Sequence, residues 1–213
     1  MTPTAAVVLI LVSLTCSCVL SQLEPPTYPD TYYQQRSTLG KSVGEDSAGK
    51  YWYHWPLRAL RGDVLGPKTN PAITIGFGEV YQIIHLDRTM WIFQESKKEC
   101  KVAPIGITPL RPDWLEGAEY IGQKIVNDIL CNGWVKEEHY YWNVASNNGR
   151  PVMIVPHEDS THMINYVDEN PSFDVKEIFK LPDYCDNAQE IDPVIMREMV
   201  WYGRNSSLAL HKQ

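Results

Sequence analysis

The chain has 213 residues, of which 44% are hydrophobic and 21% are charged. This length suits one domain with flanking segments, and the composition excludes collagen-like chains and wholesale disorder. The formal net charge is −7, with 19 basic against 26 acidic residues and no basic block, so a nucleic-acid partner is not expected.

An apolar run near the N-terminus predicts a signal peptide over residues 1–21. The run Ala5–Leu20 is shorter than the ~20 apolar residues that a membrane-spanning helix needs. Val19 and Ser21 suit the −3 and −1 positions of a cleavage site before Gln22. Because no basic residue precedes the run, an uncleaved anchor is the alternative. We expect a secreted, extracellular protein that has no membrane span after cleavage.

The remaining chain divides into three parts by composition. Residues 22–49 are rich in Pro, Ser, Gln, Thr and Gly, so they bury too little apolar surface to offset their ordering entropy, and a flexible leader is predicted. A β-rich domain is expected over 50–186. A partly helical C-terminal extension is expected over 187–213, with a helix at Pro193–Tyr202.

Short apolar or alternating runs separated by turn residues predict an antiparallel, mainly β (α+β) domain. The predicted strands lie in Tyr51–Leu60, Ala72–Phe77, Glu79–Leu86, Thr89–Ser96, His139–Ser146, Arg150–His157 and His162–Val167. Asp87-Arg88 is expected to close one hairpin and Asn147-Asn148-Gly149 another, because Asn-Gly favours the positive φ angles of tight hairpin turns.

A different pattern in the middle of the chain predicts a short amphipathic helix over Asp113–Ile121. Pro112 is tolerated in a first helical turn. Apolar residues follow at i, i+1, i+4 and i+7, namely Trp114, Leu115, Ala118 and Ile121.

The sequence contains no recognisable catalytic or metal motif. Its six histidines show no HExxH or zinc-type spacing, and the densest pair, His157 and His162, flanks a predicted turn between strands. There is no GxSxG elbow, and Cys131 lies in no thiol-protease signature. We expect no metal and no cofactor, and a non-enzymatic role is the favoured interpretation.

Removal of a signal peptide would leave three cysteines, Cys100, Cys131 and Cys185. In an oxidising compartment one disulfide between two of them is expected, with the third left over. Asn205-Ser206-Ser207 is an N-glycosylation sequon.

Several segments resemble a family of secreted eukaryotic proteins that is well represented in plants. They are Tyr51–Pro56, Glu99–Gly106, Leu110–Gln123, Leu130–Val135, Gly149–Val152 and Phe179–Cys185, within about Lys50 to Asp186. Members of that family are largely uncharacterised, and some carry a glycosyl-group transferase label without a motif behind it. The order of strands and cysteines is also distantly similar to ependymin-related proteins, whose fold resembles the bacterial LolA lipoprotein carriers.

This resemblance implies a curved antiparallel sheet, a half barrel around a hydrophobic pocket, with the short helix across its concave face. It also implies a Cys100–Cys185 disulfide that leaves Cys131 free. By the same analogy, and because aromatic rings supply large apolar contact areas, we predict a ligand-binding wall formed by Trp91, Trp114, Leu115, Trp134 and Trp142. A core filled by the same side chains is the alternative.

Three functions follow from these features. The first is a secreted non-enzymatic protein that binds a lipid or another hydrophobic or amphipathic small molecule in a β-sheet pocket. The second is an enzyme acting on glycosyl groups, and the third is an acidic extracellular matrix component suggested by the net charge of −7.

Overall fold

The computed structural model describes residues 23–40, 46–66, 80–146, 149–156 and 160–192. Within them lies one short α-helix, α1 (Val175–Ile178), with 3-10 turns at Trp55–Leu57 and Asp183–Asn187. The strands are β1 (Thr31–Gly40), β2 (Asp46–His54), β3 (Ala59–Leu65), β4 (Val80–Leu86), β5 (Thr89–Gln94), β6 (Glu99–Pro104), β7 (Glu119–Val126), β8 (Ile129–Lys136), β9 (His139–Val144), β10 (Pro151–Pro156), β11 (Ser160–Asp168) and β12 (Gln189–Glu190).

All these strands belong to one open, curved sheet in the order β12-β6-β5-β4-β3-β2-β1-β11-β10-β9-β8-β7. Every pairing is antiparallel except the short parallel pair β12–β6. The predicted fold class, a mainly β domain built on a curved antiparallel sheet, is confirmed. Among the described residues, none of the helices is long and apolar enough to cross a membrane.

Tight hairpins connect most of the neighbouring strands. The predicted hairpin at Asp87-Arg88 is confirmed, with Asp87 at φ 49° between β4 and β5. Asn127-Asp128 and Glu137-Glu138 close two further hairpins with positive φ at both positions, the conformation that two-residue hairpin loops require. β9 and β10 also pair as predicted, whereas Asn147 and Asn148 themselves lie outside the described residues.

The prediction of a flexible leader over 22–49 is wrong for β1, which lies near the middle of the sheet between β2 and β11. Its sequence, TYYQQRSTLG, lacks an apolar alternation. Main-chain pairing with two neighbours holds it in place, together with cross-strand ring contacts such as that of Tyr32 with Tyr53 at 4.6 Å. β12 likewise extends the sheet beyond residue 186, whereas the predicted strand Ala72–Phe77 and helix Pro193–Tyr202 lie outside the described residues.

The predicted helix over Asp113–Ile121 is also wrong. Residues 112–117 form consecutive turns, and β7 begins at Glu119. The turns are closed by hydrogen bonds from the main-chain N–H of Glu116 to the Asp113 carbonyl (2.8 Å) and of Ala118 to the Leu115 carbonyl (2.9 Å). Gly117 at φ 77° ends the run, because a positive φ at this glycine directs the chain out of a helical path.

Residues 105–118, the covering segment, cross one face of the sheet. His85 on β4 donates from Nε2 to the Ile107 carbonyl (2.8 Å), and the Trp114 ring meets the Tyr141 ring on β9 at 4.6 Å. The sheet is curved, and we call the side that the covering segment crosses the inner face.

The other side, the outer face, is covered at one end by residues 171–188. Cys185 of this segment is bonded to Cys100 on β6 (S–S 2.01 Å), which confirms the pairing that the resemblance implies. Cys131 is free and buried, as expected. Around the disulfide, buried Ile84 and Phe93 pack with it as one apolar cluster.

Candidate functional site on the inner face

A group of aromatic and aliphatic side chains, the ring cluster, fills one end of the inner face. Three of its members, Leu115, Trp134 and Tyr141, are only 0%, 1% and 3% exposed. Packed against them are Tyr28, Trp114, Ala118 and Ile154. The cluster therefore joins the sheet to the covering segment and to the residues that precede β1.

Strand register explains why these side chains meet. Trp134 on β8 lies opposite Tyr141 on β9, which in turn lies opposite Ile154 on β10, and directly opposed residues share a face. From above, Trp114 approaches Tyr141 edge-on, with an interplanar angle of 75°. Lys136, on the inner face of β8, donates from Nζ to the Trp114 carbonyl (2.6 Å) and so ties the covering segment down.

Further hydrogen bonds anchor the covering segment along its length. The Tyr53 hydroxyl donates to the Leu110 carbonyl (2.7 Å), and the Tyr28 main-chain N–H donates to the Pro112 carbonyl (2.9 Å). Burial raises the pKa of Tyr28 and of Tyr141 far above the ordinary value for tyrosine. Both phenols therefore remain neutral at physiological pH.

Three buried polar atoms in this region have no hydrogen-bond partner, the indole Nε1 of Trp134, the amide Oδ1 of Asn143 and the carboxylate Oδ1 of Asp113, of which the last lies 3.2 Å from Arg111 Nε in an ion pair. Asn143 is 1% exposed, and its Nδ2 donates to the Tyr28 hydroxyl (2.9 Å) and to the Gly149 carbonyl (2.7 Å). Trp134 Nε1, a donor, and Asn143 Oδ1, an acceptor, thus have neither a hydrogen-bond nor an ion-pair partner. Such leftover groups are few in folded proteins because each costs about 1–3 kcal/mol.

The five residues predicted as one ligand-binding wall lie on both faces of the sheet. Trp114, Leu115 and Trp134 meet in the ring cluster. Trp142 follows Tyr141 directly on β9, so it points to the outer face, where it packs near Cys131. Trp91 packs on the outer face beside the disulfide. The five side chains therefore do not share one wall, because strand alternation separates what composition alone groups together.

Sequence reasoning missed a polar strip at the centre of the inner face, formed by Gln34, Arg36, Tyr51 and His162. The Arg36 guanidinium carbon lies 3.9 Å from the centroid of the Tyr51 ring. Burial lowers the pKa of His162 to about 3, with the charges of Arg36 and His139 acting in the same direction. Arg36 falls in the segment predicted as a leader, and its strand carries no apolar signal that could have located it.

The chain matches, over residues 27–185, a protein family described as a domain of unknown function (DUF8395). The chain belongs to this family. The match begins inside the segment predicted as a leader, in agreement with the place of β1 in the sheet. The family description gives neither a plant source nor a transferase activity, so those parts of the resemblance, and the relation to ependymin-related proteins, stay predictions. No curated protein matches the chain.

Solved structures similar to the chain include an uncharacterized conserved protein from Thermus thermophilus. The TM-score is 0.52 at 12% sequence identity, and the match covers 76% of this chain and 90% of that chain. This likeness shows a shared fold. It carries no information on function, since the identity is low and the relative is itself uncharacterized.

Two weaker likenesses concern other bacterial proteins. The MucA/MucB complex of Pseudomonas aeruginosa gives a TM-score of 0.40 at 9% identity, covering 72% of this chain and 56% of that chain. A putative outer membrane lipoprotein-sorting protein domain from Vibrio parahaemolyticus gives 0.36 at 6% identity, covering 70% and 88%. Likenesses at this level transfer no function to the chain.

Two surface cavities lie away from the ring cluster. One of about 640 Å³ is lined by Val80, Gln82, Gln94, Glu95 and Ser96. The other, of about 370 Å³, is lined by Glu95, Lys98, Glu177, Lys180, Leu181, Pro182, Asp183 and Tyr184. Hydrogen bonds from Lys98 and Tyr184 lower the pKa of Glu95. This is the opposite of the raised pKa that a general acid in glycoside hydrolysis needs.

Nucleophilic catalysis by the free cysteine, Cys131, is unfavourable. Burial raises the pKa of the Cys131 thiol, so the nucleophilic thiolate is scarce at neutral pH. In the described part of the chain, no three His, Cys, Asp or Glu side chains are grouped so as to hold a metal ion. The best-developed candidate site is therefore the inner face, which offers contact area and a few directed polar groups.

Proposed function

We propose that the protein is a secreted, non-enzymatic binder of a hydrophobic or amphipathic small molecule, which it takes up between the covering segment and the inner face. The observation that carries this proposal is the pair of buried, unpartnered polar atoms, Trp134 Nε1 and Asn143 Oδ1, at the end of the inner face that the apolar ring cluster fills. Binding sites for small molecules have this composition, an apolar lining with a few directed polar groups.

The covering segment supports the proposal because it has no regular secondary structure between β6 and β7. Tyr53 and His85 each hold it through one hydrogen bond to a carbonyl, and Lys136 holds it through two. Segments of this kind open at a lower free-energy cost than paired strands. A ligand that enters beneath it would satisfy the leftover donor and acceptor and keep the ring contacts.

Titration with the fluorescent fatty acid 11-(dansylamino)undecanoic acid tests the proposal. The wild-type protein should bind it saturably, and Trp114→Ala should weaken binding by about tenfold or more, because the indole contributes a large apolar area. Trp91→Ala is the matched control, since Trp91 is another half-buried indole but lies on the outer face. It should leave the affinity unchanged. Absence of saturable binding to the wild type would refute the proposal.

A second variant tests the polar atoms directly. Trp134→Phe keeps an aromatic ring but removes the unpartnered N–H. The variant should lose stability only through its smaller ring, because the removed N–H had no partner in the free protein. Its affinity for a ligand that accepts a hydrogen bond from the indole should fall. Equal affinity of Trp134→Phe and wild type would show that Nε1 plays no part.

Native mass spectrometry of the protein as purified from its producing cells would reveal a bound molecule of this class.

We also propose secretion, with residues 1–21 removed before Gln22 and a glycan on Asn205. Both segments lie outside the described residues. The Cys100–Cys185 disulfide supports an extracellular or otherwise oxidising location. N-terminal sequencing of the protein from culture medium should begin near Gln22. Recovery of the full-length chain with the membrane fraction would argue for the uncleaved anchor instead.

A further inference from the structure

Arg36 occupies an unusual place for an arginine, near the middle of a β-sheet. Its strand β1 is the seventh of twelve in the sheet order, and Arg36 lies opposite Gly49 on β2 and Ile164 on β11. The guanidinium stacks on Tyr51. Its Nε atom is buried and has no hydrogen-bond partner. The charged group is therefore held on the inner face with part of its donor capacity unused.

No described carboxylate compensates this charge. The ion pairs among the described residues involve other arginines and a lysine, namely Arg58, Arg61, Lys98 and Arg111. His162 on β11, the neighbouring titratable side chain, is neutral at physiological pH because burial lowers its pKa, so it supplies no counter-charge and Arg36 alone sets the charge of the strip. Arg36 is half-buried, so its charge is partly removed from water without a partner, which is costly. The strip is thus electropositive in a chain whose net charge is −7.

Apolar groups flank Arg36 on both sides of the strip. Tyr51, on which it stacks, packs against an inner-face cluster of Val64, Tyr81, Ile92, Ala103 and Ile191. On the other side, His162 lies opposite Ile154, a member of the ring cluster. A ligand whose charged end sits at Arg36 would therefore meet apolar side chains in either direction along the inner face.

We infer that Arg36 binds the anionic head, a carboxylate or phosphate, of an amphiphile whose apolar part lies on the inner face. The inference rests on the proposed function and names the ligand class for it. The planar guanidinium presents its N–H donors in a fork that matches the oxygens of both anions. Stacking on Tyr51 fixes the plane of that fork, so the site is preorganised for an oxyanion.

The test compares 11-(dansylamino)undecanoic acid with its neutral methyl ester, on wild type, Arg36→Gln and Arg36→Lys. The wild type should bind the acid at least about tenfold more tightly than the ester, since a hydrogen-bonded charge pair is worth at least this factor. Arg36→Gln should abolish that preference without weakening ester binding, and Arg36→Lys should restore part of it. Arg58→Gln is the control for net charge, because Arg58 is exposed and pairs with Asp87.

Each outcome separates the two proposals. If wild type binds acid and ester equally, the role of Arg36 is overturned while ligand binding on the inner face stands. If neither probe binds, both fail. Displacement of the dansylated acid by dodecyl phosphate, but not by millimolar inorganic phosphate, would assign the site to the head of an amphiphile. Displacement by inorganic phosphate alone would overturn that assignment. Circular dichroism and thermal unfolding of each variant check that the fold is kept.

Discussion

Replacing Leu115 with alanine tests whether the ring cluster is close-packed in the free protein. Leu115 is 0% exposed although it lies in the turns of the covering segment rather than in a strand or helix. Truncation of a buried leucine removes about three methylene equivalents, at ~0.8 kcal/mol each, and adds a cavity cost, so that measured values span about 2–5 kcal/mol. We expect about 3 kcal/mol, because an irregular segment relaxes more readily than a helix.

Leu110→Ala is the matched control. Leu110 belongs to the same segment but is 59% exposed, so its truncation should change the free energy of unfolding by no more than about 0.5 kcal/mol. Urea unfolding followed by tryptophan fluorescence measures both. With an m-value of about 2 kcal/mol/M for a domain of this size, Leu115→Ala should lower the midpoint by roughly 1.5 M.

The difference between Leu115→Ala and Leu110→Ala shows whether the covering segment is packed in the free protein. If Leu115→Ala costs less than about 1 kcal/mol, or no more than Leu110→Ala, the covering segment is not packed against the sheet in the absence of ligand. The ring cluster would then be an open pocket rather than a core, and the structural argument for a segment that opens on binding would fail.

Three further predictions concern other parts of the sheet. Burial lowers the pKa of His162 to about 3 in the folded protein, so this histidine binds a proton more readily in the unfolded chain. The free energy of unfolding should therefore be highest above about pH 6.5 and fall as the pH falls toward 3. At pH 4.5 the loss of stability should be on the order of 3 kcal/mol, and His162→Gln should remove it in urea titrations at pH 7 and pH 4.5. An unchanged pH dependence of the variant would contradict this. Reduction of the Cys100–Cys185 disulfide, which links residues 85 positions apart, should lower the free energy of unfolding by up to about 4.6 kcal/mol through loop entropy. The urea midpoint should therefore fall in dithiothreitol, and an unchanged midpoint would contradict this. Gly133→Ala would place Cβ 2.5 Å from the Trp142 ring and should lower the free energy of unfolding by about 1–3 kcal/mol. Thermal unfolding measures this, and a stabilised variant would show that the indole moves aside freely.

The sequence by itself determined the class of the fold and the strands β4, β5, β9, β10 and β11, whereas it did not predict β6, β7 and β8. Apolar runs such as Glu79–Leu86 and Thr89–Ser96 became β4 and β5 because their side chains carry the packing that holds them. The hairpin at Asp87-Arg88 was readable for a similar local reason, since two residues between two apolar runs leave room only for a tight turn. The disulfide came from the resemblance rather than from cysteine spacing, which left the pairing open.

Only the tertiary structure decided which residues share a face. β1 was missed because its order depends on two neighbouring strands, and a polar sequence gives no sign of such partners. The helical spacing of Trp114, Leu115 and Ala118 was real, but Gly117 and the contacts with Trp134 fix that segment as turns. Burial against a distant strand outweighs a weak local propensity over so short a stretch.

The candidate site shows the same division most sharply. Trp134 and Trp142 look equivalent in the sequence, yet they lie on opposite faces, because each step along a strand reverses the side-chain direction and only the pairing register says which face is enclosed. Arg36 and His162 are 126 positions apart in number and meet because β1 pairs with β11. Long-range pairing of this kind leaves no trace in local composition, so the electropositive strip could be found only in the folded sheet.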